Sequence, residues 1–214
     1  MKFRRESLDS RRGAYFCAAL LLYSTVDLPT VQAKQKNEAS VQATATEVRM
    51  PFYEPGKKLP KGMAESSVET TISASPNEVW NALVKFEDYP RIFKRIKTSE
   101  ITKREGDLIF VETYLKPQMF VKNNVQHTVT DIADNPRHIN WKQLDGNFKH
   151  VDGSWDLATV EGSKTKLTYT LHVDAGTIVP PSMVSFFLKF VQNEIVKQLK
   201  QYVEKQVNAR KTTS

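Results

Sequence analysis

The closing stretch VPPSMVSFFLKFVQNEIVKQLKQYVEKQV, residues 179–207, holds no Gly and no Pro after Pro181. Met183, Phe187, Phe190, Val191, Ile195, Leu199, Tyr202 and Val203 recur along it at three- and four-residue steps. That spacing predicts one long amphipathic helix that must lay an apolar face on something large. Its first half is apolar almost all round, adding Val184, Phe186 and Leu188, while its second half is two-faced.

The partner is a sheet. From residue 94 the chain breaks at Glu105-Gly106, Lys116-Pro117, Asn135-Pro136, Asp145-Gly146, Asp152-Gly153 and Glu161-Gly162, all read as turn signals. Between them lie DLIFVETYL, MFVKNNVQHTVTDI, HINWKQL and TKLTYTLHV, rich in β-branched and aromatic residues. In the last, Leu167, Tyr169, Leu171 and Val173 share one face and Thr168, Thr170 and His172 the other. Short loops between strands argue for antiparallel pairing. Ahead of them, SSVETTISA from Ser66 suits an edge strand. Then SPNEVWNAL offers Ser75 as N-cap, Pro76 at the first helical position and Glu78 for a capping box. FEDYPRIF ends that helix and adds a short second turn. The expected architecture is α+β, a curved antiparallel sheet wrapped around a long C-terminal helix. The space between them is either packed solid or a cavity.

Residues 1–33 read as an export signal: a basic start, the apolar run AYFCAALLLYSTV over residues 14–26, Pro29, and Val31-Gln32-Ala33 as a small-residue cleavage site. The run is short for a bilayer span. The expected product, cut after Ala33, is periplasmic or secreted; an uncleaved anchor is the other reading. Cys17, the single cysteine, lies inside the run, so the cleaved chain has no disulfide and no thiol chemistry. Residues 34–65, punctuated by Pro51, Pro55, Gly56, Pro60 and Gly62, read as a polar linker or arm, and 208–214 as a tail. The net charge of +7 is spread out with no basic run, which argues against a nucleic-acid partner.

Few residues suggest chemistry. The histidines are His127, His138, His150 and His172; none forms a helical metal-ligand pair, so no metal and no cofactor are expected. No nucleophile elbow or phosphate-binding loop occurs. His127 alternates in step with Val121, Val125 and Val129, so it is either a core or edge histidine or a polar tip on an inward face. In GNFKHVDGSWDL, Gly146 and Gly153 permit sharp turns, bulges or close backbone approach, and Val151, Gly153, Trp155 and Leu157 fall on one face. Trp155 is thus either core or cavity wall, with Phe148 and Lys149 at the rim. The aromatic entry of the closing helix either lines a cavity, forms a surface patch open to transient membrane contact, or packs as core.

SASPNEVWNALVKFEDYPRIF, GNFKHVDGSWDL and VPPSMVSFFLKFVQNEIVKQLK, in this order, resemble the START-like superfamily of helix-grip domains, the polyketide cyclase/dehydrase and lipid transport group. Within it the chain looks most similar to the coenzyme Q-binding START-like proteins. The resemblance covers about residues 66–207. It implies a cavity between sheet and closing helix for a hydrophobic small molecule such as a lipid, quinone or polyketide-like compound. Tyr114, His127, Trp155, Tyr169, Met183 and Phe187 are the candidate lining residues. The alternative it implies is a cyclase or dehydrase, with Tyr114, His127 and Tyr169 supplying polar groups.

Overall fold

A computed structural model describes residues 59–116, 125–145, 149–174 and 181–213. Seven strands form one antiparallel sheet: β1 (Met63–Ile72), β2 (Ile96–Glu105), β3 (Leu108–Leu115), β4 (Val125–Asp134), β5 (His138–Asp145), β6 (His150–Val160) and β7 (Lys164–Asp174). Their order is β1-β7-β6-β5-β4-β3-β2, so the sequence-first strands lie on opposite edges. Between them run α1 (Pro76–Val84), a 3₁₀ turn (Phe86–Asp88) and α2 (Tyr89–Ile92); α3 (Pro181–Thr213) closes the chain. The expected helix-grip architecture is the one observed.

Local chemistry explains the first crossover. Ser75 has extended backbone angles and its hydroxyl accepts from the Glu78 amide, while the Glu78 carboxylate accepts from the Ser75 amide at 2.9 Å. Val79, Trp80 and Leu83 then face inward and are buried. Tyr89 donates its hydroxyl hydrogen to the Leu83 carbonyl at 2.7 Å, tying α2 back onto the end of α1.

Three boundaries differ from the expectation. β1 starts at Met63, not Ser66; Ala64 pairs with Val173 and is 2 % exposed, so the end of the expected arm is sheet. α3 runs on to Thr213 through the expected tail. Asp152-Gly153 is no turn. It lies inside β6, where Gly153 pairs with both Trp141 and Leu171.

The sheet has a helix-facing concave side and a convex side. On the concave side Val68, Trp155, Leu157, Leu167, Tyr169 and Leu171 pack with Val196, Leu199, Val203 and Val207 of α3 and with α1. A second, smaller apolar cluster of Leu108, Phe110, Val129 and Leu144 lies on the convex side. α3 presses chiefly along β1 and touches β7, α1 and α2 less extensively.

Candidate ligand cleft

Cross-strand register lays out the concave floor in rows. Ile139, Trp155, Tyr169 and Val68 stand directly opposite one another across β5, β6, β7 and β1. Trp155 and Tyr169 stack with ring centroids 3.7 Å apart and planes 5° from parallel. The next row is Ile109, Thr130, Trp141, Gly153, Leu171 and Ser66. Beyond it come Val111, Thr128 and Gln143, then Ser99, Thr113 and Gln126. The floor therefore grades from wholly apolar to hydroxyl- and amide-bearing.

The two ends are covered differently. The second half of α3 seals the apolar end, where Leu199 is fully buried. Farther along, Val184 and Leu188 cluster with Ala64 of β1, Val173 of β7, Val151 of β6 and Trp141 of β5. Yet Leu188, Val191 and Ile195 of α3, and Ile132, Trp141, Thr128 and Gln143 of the sheet, are only half-buried though they point into the grip. α3 lies close along β1 and has no comparable contact with β3 or β4, so these half-buried side chains rim the space beneath the helix, the candidate cleft.

Gln192 sets the height of the helix over this cleft. Its amide donates to the carbonyls of Ser66 and Tyr169, both at 3.0 Å. Because both amide protons are used, its Oε1 is held facing away, buried and without a hydrogen-bond partner. Ser99 Oγ, at the polar end of the floor, is likewise buried and unpartnered.

The concave positions of β3 to β7 carry no Asp, Glu or His. Their one ionisable phenol, Tyr169, is driven by burial to a pKa far above the ordinary tyrosine value, and Tyr89 of α2 is raised in the same way. These hydroxyls stay protonated, and that of Tyr89 donates to the Leu83 carbonyl.

The histidines lie on the convex side. His127 stands between Asp145 (Nδ1, 2.8 Å) and Glu112 (Nε2, 2.8 Å). His172 stands between Asp152 (Nδ1, 2.8 Å) and Glu65 (Nε2, 3.1 Å), with His150 on the other oxygen of Asp152. His138 meets Asp156 at 2.6 Å. Burial pulls His127 and His172 toward lower pKa, but their paired carboxylates outweigh it and raise both. For Asp152 burial acts upward, yet the hydrogen bonds from His150 and His172 hold it down at about 2. No group of described residues has the arrangement of a metal site.

Of the six candidates read from the sequence, two are brought together: Trp155 and Tyr169, stacked in the floor. Phe187 is half-buried on the flank of α3. Met183 is 43 % exposed and turned away from the sheet, since Val184 and Leu188 hold the inward phase of that turn. Tyr114 and His127 are on the convex side, because Val111 and Thr128 take the concave positions beside them. Phe148 lies outside the described residues. The reading missed Trp141 and Gln192. Trp141 alternates with Ile139 in HINWKQL, and Gln192 is a polar residue in the apolar phase of an amphipathic helix; either anomaly was a usable signal.

An open antiparallel sheet gripping one long C-terminal helix defines the helix-grip class of domain. The chain belongs to the family described as polyketide cyclase / dehydrase and lipid transport, whose model matches residues 63–205. No curated protein matches it. Among solved structures it is similar to a START superfamily protein from Mycobacterium smegmatis, at 20% identity and TM-score 0.60, covering 66% of this chain and 98% of that one. It is also similar to the ZhuI aromatase/cyclase from Streptomyces sp. R1128, at 21% identity and TM-score 0.56, covering 68% and 96%. A third likeness is to a protein from Thermus thermophilus, at 20% identity and TM-score 0.55, covering 68% and 98%.

Proposed function

We propose that this domain binds a hydrophobic small molecule in the cleft between α3 and the concave faces of β3, β4 and β5, and that it acts as a carrier. The observation that carries this reading is apolar surface only half-buried beneath the helix: Leu188, Val191 and Ile195 on α3, and Ile132 and Trp141 on the sheet. An apolar enclosure with a few polar groups at one end suits a ligand with a hydrophobic body and a small polar head. Thr128, Gln143 and Thr113 are placed to meet that head. A lipid, a quinone or a polyketide-like compound fits the description, the quinone following from the likeness to coenzyme Q-binding proteins.

The family also contains cyclases and dehydrases, and the ZhuI protein is named an aromatase/cyclase. The concave positions of β3 to β7 favour a carrier over those activities, because they offer hydroxyl donors and no carboxylate or imidazole for a general base. We further propose that the product is periplasmic or secreted after cleavage behind Ala33. That segment lies outside the described residues, and the basic start and short apolar run support the reading.

Native mass spectrometry of gently purified protein, with solvent extraction of what it carries, tests the carrier reading. A co-purified apolar molecule, displaced by a fluorescent fatty acid or quinone, is expected. Protein that arrives empty and binds neither probe overturns it.

A further inference from the structure

The first three turns of α3 are apolar on both sides, and only one side has work in the fold. Val184 and Leu188 face the sheet. On the opposite side Met183, Phe186 and Phe190 stand 43%, 71% and 60% exposed, as three of the four large apolar residues on the described surface. Phe186 and Phe187 meet edge to face with centroids 5.9 Å apart, which holds the aromatic side chains as one projecting cluster. Steps of three, four and seven residues put Met183, Phe186 and Phe190 in a single stripe. Exposed aromatics gathered this way are costly in water unless something covers them.

Charge indicates what covers them. α3 carries Lys189, Lys197, Lys200, Lys205, Arg210 and Lys211 against Glu194 and Glu204 only. Glu194 is engaged by Arg95 and Glu204 by Lys200. Lys189 flanks the stripe and Lys197 continues its line toward the C-terminus. Both are exposed, and neither forms an ion pair among the described residues. Phenylalanines projecting between exposed lysines match a surface with an anionic polar layer over an apolar interior. No described helix is long and apolar enough to cross a membrane, so the match is to the surface of a bilayer.

We propose that the Met183–Phe186–Phe190 stripe docks the domain on anionic lipid membranes, with Lys189 and Lys197 against the headgroups. The same turns of α3 form the cleft wall through Leu188 and Val191, so docking sets the cleft edge against the lipid. The idea goes beyond ligand binding and can fail independently of it.

The test uses the full chain carrying Cys17→Ser and Phe190→Cys, labelled at residue 190 with an environment-sensitive dye. Vesicles contain about one-third anionic lipid and a spin-labelled lipid quencher. Quenching at 190 is expected, with none at a control label on Lys164→Cys at the start of β7. This local readout excludes a signal that arises only from attachment through the N-terminal apolar run. Phe186→Ser with Phe190→Ser, in the Cys17→Ser chain labelled at Met183→Cys, is expected to lower quencher contact at 183 by about tenfold or more relative to the same labelled chain without the two serines. Lys189→Gln with Lys197→Gln is expected to abolish the preference for anionic over zwitterionic vesicles. Failure of lipid to quench the label at 190 overturns the proposal. So does a label that becomes shielded on raising protein concentration without lipid, which would assign the stripe to a second copy of the chain. If the serine variant still binds the fluorescent fatty acid in solution, the carrier reading stands whatever the vesicle result.

Discussion

A Cβ at Gly153 would lie 2.7 Å from the carbonyl oxygen of Thr170, 2.8 Å from Leu171 Cδ2 and 3.0 Å from Trp141 Cε2. The first is backbone and cannot yield cheaply. Gly153 is therefore glycine for lack of space beside the Trp141 indole, not for a left-handed backbone angle. Gly153→Ala is expected to destabilise the domain by about 1–3 kcal/mol and to displace Trp141, read by urea unfolding and by tryptophan emission. On the opposite face, His172 has its own measurable signature. Its pKa is raised by Asp152 and Glu65, so its contribution is complete below the ordinary histidine range and is lost as pH rises through the raised value. Asp152, held at about 2, acts in the other direction: its contribution is complete above the ordinary aspartate value and lost as pH falls toward 2. Melting temperature is expected to fall on both limbs. His172→Gln is expected to flatten the alkaline limb above the ordinary histidine range; an unchanged slope would show that the clamp adds nothing to stability. His127 also shows why alternation left its side of the sheet open. It does alternate with Val129, but Val129 belongs to the convex cluster with Phe110. Where both faces of a strand hold apolar residues, alternation separates the faces without saying which one is inside.

Among the elements, α1 and β7 were legible because single local rules decide them. A capping box starts one, and strict alternation orders the other. The first half of α3 was not legible in phase. With Met183, Val184, Phe186, Phe187 and Leu188 crowded together, every direction is apolar and no moment points inward. The orienting residue is the polar one, Gln192. Removing its amide leaves the carbonyls of Ser66 and Tyr169 without that donor in a dry interior. Gln192→Ala is expected to cost about 1–3 kcal/mol for the partners left behind. It is also expected to speed amide exchange selectively in the first half of α3, while the Leu199 end stays protected. Uniform exchange along the helix would show that Gln192 is not the fastening point.

For the whole molecule, the architecture could be read before the structure and the cleft walls could not. The periodicities identify which elements exist and how many layers they make. A cleft is a difference in spacing between layers, set here by how closely α3 lies on β1 and how far it stands from β4. No repeat in the sequence encodes that distance. It locates the decisive substitution at Leu188. Leu188→Trp directs extra volume toward the candidate cleft, so, if the carrier reading holds, it is expected to weaken binding of a fluorescent fatty acid at least tenfold with a melting temperature close to that of the parent. A solid interior would answer with about 1–3 kcal/mol of overpacking strain instead.

The sheet order carries one more consequence, in time instead of space. β1 is the first described strand to be made, yet its only strand partner among the described residues is β7; Ser67 and Thr170, whose hydroxyls meet at 3.2 Å, are 103 residues apart. The helix that presses on β1 is made later still. Throughout synthesis the leading strand has neither neighbour, and the loop that must close is most of the domain. Such non-local closure is slow and leaves an unpaired edge exposed while it waits. A ribosome-bound chain ending before Lys164 is therefore expected to be digested by protease at β1, and protection should appear only once α3 has emerged.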